Sequence, residues 1–219
     1  MRRRLLRWLA FAAVAAACPA TAAADEADPG AGLVRDFVTK VTTLRGRFQQ
    51  SVLDADGVLV DASSGTIEIE RPGRFRWATD DPYEQWVIAD GVNVWSYDVD
   101  LAQVTVKPQA EALSNTPALL LGGDSGALED FTIEASSVDD GITWVRMTPA
   151  DSESGFRRVV LGFEDGKLAR MVFLDSLEQQ TVVELSDVEY NLDLDPARFE
   201  FTPPDDVDIV GTPAAEETS

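Results

Sequence analysis

The first regular signal along the chain is helical. Leu33, Val34, Phe37, Val38 and Val41 recur on one helix face, which predicts a short amphipathic helix over Leu33 to Val41 after a polar lead-in from Asp25 to Gly32. From Leu44 the rhythm shortens to two residues. Arg45 to Leu53, Val58 to Glu70 and Arg74 to Ala78 read as strands, and Thr66-Ile67-Glu68-Ile69-Glu70 alternates cleanly with one apolar face. Phe75 and Trp77 fall on one side of their strand, Arg74 and Arg76 on the other. Tyr83 to Ala89, Val92 to Tyr97 and Gln103 to Lys107 continue the pattern. It stops at Pro108 to Gly123, where Asn115 or Thr116 can cap a helix, Pro117 suits its first turn and Gly122-Gly123 can end it. One or two short helices are expected there. Strands resume over Phe131 to Ser137, Ile142 to Thr148, Phe156 to Glu164, Lys167 to Asp175 and Thr181 to Tyr190, with Val207 to Val210 a small edge strand.

The connections are hairpin turns. Asp56-Gly57, Asp90-Gly91, Asp140-Gly141 and Asp165-Gly166 suit tight turns that need positive φ, and Pro72-Gly73 turns the chain between two strands. About eleven closely spaced strands joined this way predict a mainly β fold: one antiparallel sheet, strongly curved or barrel-like, interrupted by a short helical segment. A sheet that curls on itself has an inner face, and its side chains either fill that face or leave a cavity. Phe48, Phe75, Trp77, Trp86, Trp95, Tyr97, Phe131, Trp144, Phe163, Met171 and Phe173 supply the apolar surface for either outcome.

The N-terminus changes the picture of where the protein works. Met1 to Arg7 is basic, Trp8 to Ala17 is apolar, and Ala22-Ala23-Ala24 offers a cleavage site before Asp25. Residues 1–24 are therefore expected to be a secretory signal, leaving a single domain over 25–210 and an acidic, disordered tail over 211–219. The apolar run is too short to span a membrane. Cys18, the only cysteine, leaves with the signal; its setting only loosely resembles a lipidation site, because Ala15 stands where Leu or Val is usual.

Charge and composition then narrow the chemistry. Removing Arg2, Arg3, Arg4 and Arg7 from the 18 basic residues leaves 14 against 39 acids, a net charge of −25. That disfavours nucleic acid and anionic membrane surfaces, and most of it is a solvated skin. Without histidine or a mature cysteine, Ser-His-Asp and Cys-His catalysis are excluded. Asp54-Ala55-Asp56-Gly57 has the start of a calcium loop, but Val58 and Val60 occupy ligand positions. No cofactor fingerprint is present, no metal site is expected, and no carboxylate pair stands out from the many acids as a hydrolase site.

Five motifs in order resemble a known family. They are Leu44 to Gln50 with Phe48-Gln49-Gln50; Glu70-Arg71-Pro72-Gly73-Arg74-Phe75-Arg76-Trp77; Val87 to Asp98 with Ala89-Asp90-Gly91; Asn115-Thr116-Pro117-Ala118-Leu119-Leu120-Leu121; and Arg198-Phe199-Glu200-Phe201-Thr202-Pro203-Pro204. Together, over roughly Leu33 to Pro204, they look like the periplasmic outer-membrane lipoprotein carrier protein (LolA) family. The resemblance implies an incomplete β-barrel with a helical lid over an apolar cavity, in a monomeric, non-enzymatic periplasmic carrier. It implies Arg71 as the lid latch, and Phe48, Phe75, Trp77, Trp95, Leu119, Leu120 and Leu121 as the surroundings of the acyl chains. It implies three partners: acylated lipoproteins as cargo, an inner-membrane lipoprotein-releasing ABC transporter complex that loads the carrier, and an outer-membrane lipoprotein receptor that unloads it. A carrier of free lipid on a similar scaffold is the alternative.

Overall fold

A computed structural model describes residues 28–113, 118–122, 125–151 and 155–214. The expected signal over 1–24 lies outside the described residues, as do Asn115, Thr116 and Pro117. The elements are α1 (Pro29–Lys40), β1 (Thr43–Leu53), β2 (Leu59–Glu70), β3 (Arg74–Asp81), β4 (Gln85–Asp90), β5 (Asn93–Asp98) and β6 (Gln103–Pro108). Two short helices follow, α2 (Gln109–Leu113) and α3 (Ala118–Gly122), then a 3-10 turn over Ser125–Asp130. The second half is β7 (Phe131–Asp139), β8 (Ile142–Pro149), β9 (Phe156–Glu164), β10 (Lys167–Asp175), β11 (Gln180–Tyr190) and β12 (Asp208–Gly211).

All twelve strands belong to one sheet in the order β12-β6-β5-β4-β3-β2-β1-β11-β10-β9-β8-β7. Neighbours run antiparallel except β12, which lies parallel to β6. The two edges, β12 and β7, are not paired with each other, so the barrel is incomplete. At the predicted Asp-Gly turns, Asp140 and Gly141 take φ of 48° and 79°, and Asp165 and Gly166 take 49° and 77°. Those are the values a two-residue primed hairpin demands.

The concave face carries the core. On β1, Leu44 and Phe48 point inward between the exposed Arg45, Arg47 and Gln49. They meet Ile67 and Ile69 of β2, Phe163 of β9, Met171 of β10 and Val183 of β11. Helix α1 lies against this cluster through Val34, Phe37 and Val38. It starts four residues before the apolar periodicity does. Asp28 caps it by accepting from the Gly30 amide at 2.9 Å, and Pro29 loses nothing at a position whose amide has no helical partner. Gly30 is required by contact: a Cβ there would sit 2.4 Å from Ser136 Cβ. The Asp28 carboxylate also accepts from the Ser136 hydroxyl, which together with the amides holds its pKa below the ordinary 3.8.

The convex face is closed over β3–β5 by the C-terminal segment. Phe199 is fully buried with the Arg74 guanidinium over its ring. The Glu68 carboxylate, also buried, accepts from Arg45 and Arg198. Gly211 belongs to β12, and Ala214 is fixed by its amide donating to Asn93 Oδ1 at 2.7 Å. Residues 215–219 lie outside the described residues.

Candidate functional site: an apolar cavity under a helical lid

Not all of the concave face is filled. A cavity of about 390 Å3 remains between β2–β4 and β9–β11. Ile67, Ile69, Phe75, Trp77 and Val87 form one wall, and Phe156, Met171, Phe173 and Val183 the other. Leu121 of α3 covers one end. Gln50 and Thr181 are the polar lining residues. The alternation that buries Phe48 also brings Gln50, two residues on, to the same face.

The predicted residues are distributed unequally. Phe75, Trp77 and Leu121 line the cavity. Phe48 lies behind the wall, 1% exposed, with its ring 4.1 Å from that of Trp77. Leu120 is packed into the core beside the cavity and contributes its carbonyl to the latch. Leu119 belongs to α3, but its side chain is outside the described residues. Trp95 is a correction. Val94 points to the core, so the two-residue period of β5 turns Trp95 to the opposite face. There its indole nitrogen donates to Asp90 Oδ2 at 2.7 Å and its ring packs on Phe201. Reading the aromatics as one set missed that the C-terminal segment needs a face of its own to cover. The sequence also offered Ile67, Ile69, Val87, Phe156 and Val183, but nothing in their spacing separates cavity wall from ordinary core.

Arg71 sits at the turn between β2 and β3, at the closed end. Its Nε donates to the Val41 carbonyl at 3.0 Å, and a terminal nitrogen donates to the Leu120 carbonyl at 2.9 Å. Val41 is the C-cap of α1 and Leu120 lies in α3, so one side chain joins both helices. Helix ends leave carbonyls without partners, and a guanidinium carries five donors in a plane. The group also stands 5.0 Å over the Phe37 ring. Burial pulls its pKa down to about 10, partly offset by the nearby Tyr190, so it stays cationic at neutral pH. Burial in turn raises the Tyr190 phenol, whose oxygen accepts from the Leu168 amide at 2.7 Å.

The rest of the attachment uses backbone. The Gly73 amide donates to the Gly122 carbonyl at 2.7 Å. Gln109 ties α2 down at two turns: its Nε2 donates to the Gly73 carbonyl at 2.8 Å, and its Oε1 accepts from the Gly91 amide at 3.1 Å. A methyl added to Gly122 would lie 3.1 Å from Phe75 Cδ1, so α3 rests directly on the cavity wall. Among the described residues no cluster of three or more potential ligands could hold a metal, and no helix is long and apolar enough to cross a membrane.

A curved open sheet with an apolar hollow, capped by short helices held through a few polar contacts, defines a class of proteins built to enclose greasy chains. Comparison with known proteins then gives the family. The profile of "Outer membrane lipoprotein carrier protein LolA" matches residues 39–202. An outer-membrane lipoprotein carrier protein from Nitrosospira multiformis is 42% identical over 182 residues, 83% of this chain and 88% of the relative. One from Dechloromonas aromatica is 37% identical over 96% of this chain and all of its own length. The chain belongs to the LolA family. Among solved structures, an uncharacterized conserved protein from Thermus thermophilus shares the fold at a TM-score of 0.51 and 16% identity, over 83% of this chain and 98% of that one.

Proposed function

We propose that this protein is a periplasmic carrier of lipoproteins. It takes the acyl chains of a lipoprotein released from the inner membrane into the cavity, shields them across the aqueous periplasm and gives them up at the outer membrane. Each methylene kept from water is worth about 0.8 kcal/mol, so unshielded acyl chains cannot make that crossing. No bond is made or broken. A lipoprotein-releasing ABC transporter complex loads the carrier, and an outer-membrane lipoprotein receptor empties it.

The observation that carries the reading is a nearly all-apolar hollow whose cover is a short helix tied down by a few hydrogen bonds beside the packing of Leu120 and Leu121. Cargo enters by displacing α3 and the side chains beneath it. Closing without cargo stabilises the empty state, lowers affinity and makes release possible. Arg71 sets that balance.

Native mass spectrometry of the protein purified gently from periplasm tests the proposal. A one-to-one complex with an acylated protein supports it. Phospholipid in that place would make the protein a carrier of free lipid instead, and an unliganded chain from cells that are making lipoproteins would count against both.

A further inference from the structure

The cavity does not end at an apolar rim. Towards the hairpin tips a second hollow of about 270 Å3 lies beside it. Gln50, Trp77 and Val87 line both spaces, so the two adjoin at these residues. The new lining is polar: Asp61 and Ser63 from β2, Thr79 from β3, Tyr83 from the turn after it and Gln85 from β4. All of these lie at the end of the sheet away from α3. The β2 residues lie far along their strand from the Arg71 turn, Ser63 pairing with Gln50 of β1 and Asp61 with Val52. A hydrophobic ligand pocket thus grades into a groove that carries hydroxyls, amides and one carboxylate.

We propose that this groove is the subsite for the polar linkage of the cargo, the ester and amide groups that join acyl chains to a glyceryl-cysteine. The inference rests on the carrier reading and specifies how cargo lies: chain ends towards Leu121 and Phe75, linkage at Gln50, peptide leaving past Tyr83. Buried ester and amide carbonyls need donors, because an unpaired polar group is costly away from water. Gln50 is the residue placed to give the first. It is half-buried at the junction, and its Nε2 donates to Ser63 Oγ at 3.5 Å, longer than an ordinary hydrogen bond and so readily exchanged for a ligand carbonyl. Ser63 and Thr79 hydroxyls supply the next. Tyr83, 64% exposed, stands at the exit where a departing peptide would meet it. The same groove explains how a cavity of apolar walls fixes direction: a cargo inserted linkage-first would bury its esters against Ile69 and Phe75.

The test uses a synthetic triacylated lipopeptide with a photoreactive group either beside the glyceryl linkage or at an acyl terminus. After irradiation of the wild-type complex, the linkage label is expected on peptides from residues 61–85 or around Gln50, and the terminal label around Leu121 or Met171. The reverse distribution, or an even one, overturns the inference. Affinity gives an independent reading. Ser63→Ala with Thr79→Val is expected to weaken the lipopeptide roughly thirtyfold, as loss of two ordinary hydrogen bonds predicts, while an apolar dye lacking esters binds as before. Unchanged lipopeptide affinity overturns the subsite and leaves the carrier reading standing. Failure of the wild type to bind either lipopeptide or dye removes the carrier reading, and the subsite with it. A phospholipid weakened equally by the double variant assigns the groove to the ester shared by both lipids; weakening of lipopeptide alone assigns it to the cysteine amide.

Discussion

Replacing Arg71 with leucine separates the latch from the fold. The change removes donors to the Val41 and Leu120 carbonyls, at 3.0 and 2.9 Å, and the contact over Phe37. A hydrogen bond from a charged donor contributes about 1.5–3 kcal/mol. Leucine returns part of that, because it no longer buries a cation whose pKa burial already lowers to about 10. The net loss of lid closure is roughly 2–3 kcal/mol, a shift of about 30- to 150-fold towards open. Neither the Val41 nor the Leu120 carbonyl belongs to a strand, so the sheet survives and the effect stays local. Hydrogen exchange reads it directly. The Gly73 amide, bonded to the Gly122 carbonyl, should exchange faster by that factor, while the Ile67 amide in β2 keeps its protection. Affinity for a triacylated lipopeptide should rise and its off-rate fall, since less of the empty carrier is locked shut. Unchanged Gly73 exchange with unchanged lipopeptide affinity would refute the latch, and loss of β-rich circular dichroism would show that Arg71 holds the fold instead.

Other substitutions probe the frame. Gly65→Ala places a Cβ 1.9 Å from the Ala78 carbonyl, so β2 and β3 must part; thermal melting should show a loss of about 3 kcal/mol or more. Trp77→Ala should enlarge the cavity and cost roughly 3 kcal/mol in denaturant unfolding, while the volume taken up by an apolar probe increases. Glu68→Ala leaves Arg45 and Arg198 without their shared carboxylate; both are half-exposed and rehydrate, so the expected loss is only about 2 kcal/mol, measured the same way. The latch itself should be insensitive to pH between 6 and 8. The Arg71 pKa is depressed, yet only to about 10, so the group is charged in the folded and unfolded states throughout that range and neither gains nor loses a proton on opening. A step in lipopeptide retention within that window would contradict this.

The fold was readable because local and long-range signals agreed. Four Asp-Gly pairs and one Pro-Gly pair marked turns, and strict alternation in runs such as Thr66 to Glu70 marked a sheet with one buried face. The apolar periodicity marks α1 only from Leu33 because its first turn, Pro29 to Gly32, has no large apolar residue; it is held by the Asp28 cap and contact with Ser136 instead. The site was only half legible. The motifs name Phe75, Trp77 and Leu121, which line the cavity, and Arg71, which bonds its cover, but also Trp95, whose ring faces Phe201 across the convex side. A single strand fixes which residues share a face. It does not fix which face stays hollow, because that depends on how β9–β11 curl back over β2–β4. Gln109, which ties the lid to two turns, carried no pattern that sequence could show.

The central claim is that acyl chains occupy the space beside Trp77. A chain retaining only that tryptophan, with Trp8, Trp86, Trp95 and Trp144 replaced by phenylalanine, can be titrated with a lipopeptide brominated along its acyl chains. Saturable quenching of Trp77, absent with the same peptide after deacylation, is the predicted result. Tight binding without quenching, or equal binding of the deacylated peptide, would contradict it.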